Sequence, residues 1–127
     1  MTNKTNLKPY FEKGIDYEQY LANERELLAT DDEFEYRNYH TLNLRRMERN
    51  NKQAAKLDSL QADLPNLTNK KMLIISEGWC GDAAQIVPFA AQLAQRTGME
   101  LKLVYRDQNQ ELMQEYLTNG GMAIPKL

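Results

Sequence analysis

The chemistry this chain could perform centres on Cys80, its single cysteine, which stands in the run Glu77, Gly78, Trp79, Cys80, Gly81, Asp82, Ala83. A lone cysteine cannot close an internal disulfide. Three states are open to it: a free thiol, an intermolecular bridge or a small buried hydrophobe. The run lies where an apolar strand hands over to a helix, and unsatisfied amides with the positive end of the dipole stabilise a thiolate at a helix start. The thiolate is the nucleophile and the thiol is not. Asp82, one turn away, and Glu77 bring negative charge that disfavours the thiolate and partly offsets the helix end. Asp82 also suits a cap, since its carboxylate can accept amide hydrogen bonds in the first turn. Trp79 serves packing or substrate contact equally well. His40, the single histidine, lies on an apolar helical stripe and reads as a core or boundary residue rather than a base for Cys80. With one His and one Cys, no metal site of the usual nitrogen and sulfur ligands can be assembled within one chain, and no cofactor is expected.

The elements that must position Cys80 follow from periodicity. Met72 to Ser76 is a short Ile-containing apolar run bounded by polar residues, hence a buried strand, which Glu77 and Gly78 end. Ala83, Ala84, Ile86, Val87, Phe89, Ala90, Leu93 and Ala94 wrap more than one face of a helix over 82–97 that Gly98 closes. Leu101, Leu103 and Tyr105 alternate with polar residues in a second strand, and Leu112, Met113, Tyr116 and Leu117 mark a helix ending at Gly120 and Gly121. Strand, helix, strand, helix implies a βαβ unit with parallel strands. Upstream, the polar residues 1–15 with Pro9 and Gly14 read as a loosely packed arm. Tyr17, Tyr20, Leu21, Leu27 and Leu28 stripe a helix over 16–29. Thr30 with Glu33 makes a capping-box pattern before a longer helix over 33–57, striped by Tyr36, His40, Leu44, Met47, Ala54 and Leu57. Its charges around Arg45, Arg46, Glu48, Arg49 and Lys52 read as a solvated outer face. These helices hold too little apolar area for a separate core, so they are expected to pack on the βαβ part.

The bulk numbers exclude whole classes. At 127 residues the chain is of single-domain size, and 42% hydrophobic with 27% charged residues is ordinary for a globular protein. A formal charge of -2, with basic and acidic residues interleaved, offers no field for nucleic acid. No apolar run approaches the roughly 18 residues of a membrane span, and the start MTNKTNLK lacks the apolar stretch of a signal peptide, so a cytoplasmic location is expected.

The residues Trp79, Cys80 and Gly81 after a core strand resemble the thioredoxin family, whose motif Trp-Cys-Gly-x-Cys opens a helix in that position. Pro88 stands eight residues after Cys80, where thioredoxins carry the proline that kinks their active-site helix. Ile124 and Pro125 fall where the family places the cis-proline loop facing the cysteine. More narrowly, the run from WCGDAAQ to LTNGGMAIPKL is similar to bacterial thioredoxin-like proteins in which Cys-Gly-Asp replaces the usual start of the motif. The resemblance covers residues 71–127. It implies an α/β fold: a thioredoxin-like βαβ core over 70–127, preceded by an N-terminal helical extension over 1–69. The family's C-terminal hairpin and final helix are not found, so the chain is expected to be a fragment or to have its sheet completed by a partner, with Lys126 and Leu127 opening the absent strand. Otherwise the two strands would leave bare edges.

Ala83 occupies the second-cysteine position and Asp82 the usual proline position, so the intramolecular step that releases a mixed disulfide cannot occur. What the resemblance then implies is a monothiol redox protein in which Cys80 attacks a disulfide or peroxide and an external thiol resolves the adduct. Trp79, Gly81, Ile124 and Pro125 would contact substrate and Asp82 would modulate the thiol. The implied partners are a disulfide-containing protein or a low-molecular-weight thiol, with a second copy of the chain a further candidate. The alternative is a non-catalytic binding module that keeps the fold and a structural cysteine.

Overall fold

A computed structural model describes residues 6–30, 36–56 and 64–127. Along the chain run α1 (Lys8–Lys13), α2 (Tyr17–Thr30), α3 (Arg37–Ala55), β1 (Lys71–Ser76), α4 (Gly81–Thr97), β2 (Glu100–Tyr105) and α5 (Gln110–Gln114). β1 and β2 pair in parallel from Lys71 opposite Glu100 to Ser76 opposite Tyr105. The sheet's two outer edges are not bare. Ile15 and Leu103 exchange both backbone hydrogen bonds on the outer side of β2, and Lys126 and Ile75 do the same on the outer side of β1, both antiparallel. The amide and carbonyl groups that an unpaired edge strand exposes are therefore partly occupied from both ends of the chain.

Alternation along the strands assigns one core to each face of the sheet. Ile74 and Leu103 join Tyr20, Leu21, Met47, Cys80, Ala83, Ala84, Val87 and Ala90 on the α4 side. Ile75 and Val104 join Leu112 and Met113 on the other, with Tyr116, Leu7 and Tyr10 against them. Residues from α2 and α3 thus share a core with β1 and α4, so the two N-terminal helices bury their stripes on the βαβ unit. Ile124 touches both clusters.

Three local expectations change. The segment before residue 16 is not a loose arm where it is described: Pro9 opens α1, Phe11 is buried, and the ammonium groups of Lys71 and Lys102 sit 5.2 and 5.1 Å from its ring centroid. Thr30 is the last residue of α2 and donates its hydroxyl to the Glu26 carbonyl rather than capping the next helix. Glu33, the other half of that capping box, and Leu57 lie outside the described residues, and α3 is entered through Tyr36 in the left-handed region. The last helix stops at Gln114. Asn119 and Gly120, with φ of 51° and 79°, then form a tight two-residue turn between Thr118 and Gly121, which is why this Asn-Gly pair does not prolong the helix.

Candidate functional site around Cys80

β1 ends at Ser76, and residues 77–80 turn sharply, with the Cys80 amide donating to the Glu77 carbonyl at 3.2 Å. Cys80 has extended backbone angles and is the N-cap of α4. Its own sulfur accepts the Ala83 amide at 3.4 Å, so the capping role proposed for Asp82 belongs to Cys80. Asp82 lies exposed in the first turn, where its charge complements the helix dipole. On its other side the thiol donates to the Ile124 carbonyl at 3.6 Å. The Ile124–Pro125 bond is cis. Cys80 is a free cysteine, only 9% exposed.

Trp79 is half-buried beside the thiol. The Arg106 guanidinium lies 4.8 Å from its ring centroid, and Tyr36 packs against it at 5.7 Å. Arg106 also donates to the Met122 carbonyl at 3.2 Å and to the Asp107 carboxylate at 2.9 Å, tying the end of β2 to the approach of the cis-proline segment. Glu77 accepts the Asp107 amide at 3.0 Å. Burial pushes the Glu77 carboxyl up from its ordinary range and nearby Asp107 adds to this, while the Asp107 amide, Arg106 and His40 pull it back. Trp79, Cys80, Gly81, Ile124 and Pro125 are thus brought to one end of the sheet, with Asp82 on the rim.

His40 lies buried, paired with a carboxylate of α2. Its Nδ1 hydrogen-bonds the Glu24 carboxylate at 2.6 Å, and both residues are buried. That carboxylate lies directly under Gly78, where an added Cβ would come within 2.2 Å of it, so any side chain at 78 would force the buried Glu24 to move. Two further buried residues of α3 were not legible as functional. Asn43 donates to the Gly78 carbonyl at 3.4 Å, and Asn50 donates to the Ala84 carbonyl at 2.9 Å. The second bond answers a gap the sequence does show. Pro88 has no amide proton, which leaves the carbonyl four residues earlier, that of Ala84, without its helical partner. Among the described residues no group of His, Cys, Asp and Glu could hold a metal ion, and no helix is long and apolar enough to cross a membrane.

A cysteine that caps the helix after the first strand of a parallel βαβ unit, faced by a proline loop, defines an α/β domain. The chain matches the family model described as thioredoxin over residues 29–127 and belongs to that family. The match begins within α2 and takes in α3, so the thioredoxin-like unit is recognised well upstream of β1. No curated protein and no solved structure matched the chain.

Proposed function

We propose that the protein is a monothiol redox protein of the single-cysteine type whose bacterial members carry WCGDAAQ, with Cys80 as the nucleophile. One observation carries this reading: the Cys80 sulfur sits at the N-cap of α4, receives the Ala83 amide, and faces the Ile124 carbonyl beside Pro125. In the reaction the Cys80 thiolate attacks one sulfur of a disulfide, a bond forms to Cys80, and the displaced sulfur leaves as a thiolate. Ala83 cannot resolve the adduct. An external thiolate attacks the substrate sulfur of the mixed disulfide, forms a new disulfide with it and returns Cys80 as a thiolate. With a peroxide, Cys80 becomes a sulfenic acid as the O–O bond breaks, and two equivalents of external thiol restore it with loss of water. Trp79, Gly81, Ile124 and Pro125 supply the walls against which substrate backbone would lie, and Asp82 charges the rim.

The burial of Cys80, with Trp79 covered by Tyr36 and Arg106, favours a second reading in which the fold binds a partner and the cysteine only packs. Incubating the native protein with oxidised 2-mercaptoethanol separates the two. The redox reading expects one adduct by mass, absent in Cys80→Ser and removed by added thiol. Reaction only after denaturation would establish the binding-module reading instead.

A further inference from the structure

The backbone around Cys80 is held at two points, and both come from one ridge of α3. Asn43, seven residues before Asn50 and so on the same helical face, donates to the Gly78 carbonyl, two residues before the cysteine. Asn50 donates to the Ala84 carbonyl, four residues after it. Both asparagines are buried. Asn43 is itself held by Arg46, whose Nη1 donates to its Oδ1 at 3.1 Å, and Asn50 also reaches Gln85 Oε1 at 3.3 Å. The first tether is backed by the buried Glu24 and His40 pair, which forms the floor under Gly78. Between these points lie Cys80 and the Ala83 amide that its sulfur accepts, while the other contact of the sulfur, the Ile124 carbonyl, comes from the cis-proline segment. A hydrogen bond to a buried carbonyl is favoured simply because leaving it unmade is costly, so each tether resists displacement of the chain it holds. Alkylation by a small reagent and disulfide exchange both need the thiolate and access to it. Exchange also needs the sulfur aligned with the S–S bond it attacks, so the ratio of the two rates reports how the sulfur is presented.

We propose that Asn43 and Asn50 are positioning residues for Cys80: α3 grips the chain on both sides of the cysteine and so fixes the direction of its sulfur. The inference rests on the redox reading only for its consequence in turnover. The placement of the sulfur is testable without it.

The experiment uses the full chain as wild type, Pro88→Ala, Asn50→Leu, Asn50→Leu with Pro88→Ala, and Asn43→Leu, with Asn43→Asp as a same-shape variant that cannot donate while its carboxylate is ionised. Residue-resolved amide exchange is read together with the ratio of two Cys80 rates, mixed-disulfide formation with oxidised 2-mercaptoethanol over alkylation by iodoacetamide. In Asn50→Leu with Pro88→Ala the residue 88 amide again supplies a donor to Ala84, so the helix recovers, yet the tether to α3 stays cut. The expected result is that this protein and both Asn43 variants exchange the Cys80 and Ala83 amides about tenfold faster relative to those of Ile74 and Leu103, with a similar fall in the rate ratio. Recovery of wild-type loop protection on adding Pro88→Ala would overturn the proposal, because Asn50 would then serve only helix stability. Equal loosening of loop and strand amides in the Asn43 variants would overturn it too. Selective loosening in a protein whose wild type forms no mixed disulfide would uphold the positioning role and defeat the redox reading.

Discussion

Asn50→Leu removes the one side-chain donor that replaces the missing Pro88 amide, and its cost can be worked from the structure. Asn50 is 6% exposed, and its Nδ2 lies 2.9 Å from the Ala84 carbonyl oxygen. Leucine has the same branched skeleton and leaves no cavity, so the loss is chiefly that of a buried acceptor left without its partner, about 1–3 kcal/mol. The weaker bond to Gln85 at 3.3 Å adds little, because Gln85 is exposed and water can replace it. The same substitution made beside Pro88→Ala meets a different helix, in which the residue 88 amide donates to Ala84 along the ordinary i to i-4 ladder. There Asn50→Leu should cost under about 0.5 kcal/mol, giving a coupling energy of about 1 kcal/mol or more between two residues on different helices. Urea unfolding of the four proteins of the cycle measures this directly, provided the slopes agree. Equal costs of Asn50→Leu with and without Pro88→Ala would refute the reasoning, since they would mean that Asn50 does not answer the proline.

Gly78→Ala should destabilise the protein by roughly 2 kcal/mol or more, because its Cβ would meet the Glu24 carboxylate at 2.2 Å, and Glu24→Ala should relieve most of that cost when the two are combined; thermal unfolding of both single variants and the pair tests it. Tyr17, Tyr20 and Tyr105 all have hydroxyls pushed above the ordinary value near 10, in each case chiefly by burial. Folding therefore binds these protons more tightly than the unfolded chain does. The stabilisation is complete below about pH 10 and is lost as pH rises above it, by up to about 1.4 kcal/mol per pH unit for each tyrosine. Tyr20→Phe should lower stability at neutral pH by about 1 kcal/mol through the lost hydrogen bond to Ser76. It should also flatten the alkaline fall by one tyrosine's share, and an unchanged slope in urea titrations from pH 9 to 11 would count against this assignment.

How far the sequence could lead is decided by whether a residue's partner is near it in the chain. The strand at Met72 to Ser76, the helix closed by Gly98 and the placing of Cys80 at that helix's start all rest on contacts within a few residues, and periodicity with glycine chemistry reads them. Cys80 beside Ile124 was legible only through resemblance to the thioredoxin family, since nothing local joins positions 44 apart. The α3 ridge shows the limit most clearly. Pro88 announces in the sequence that the Ala84 carbonyl needs a donor, but the donor lies 34 residues earlier in a helix whose charged neighbours make Asn43 and Asn50 look like part of a solvated face. Asparagine is a poor helix former because its side chain competes for backbone hydrogen bonds. Two asparagines spaced seven apart on a face otherwise striped by His40, Met47 and Ala54 therefore cost helix propensity where a leucine would not. That cost, at positions facing the core, is the trace of a distant carbonyl to be satisfied. Glu24, buried beside Tyr20 and Leu21 within the stripe of α2, likewise meets a distant partner, the His40 ring on α3. A polar residue within an apolar stripe asks which distant group it must meet, and in this chain Asn43 and Asn50 answer at Gly78 and Ala84, on either side of the cysteine.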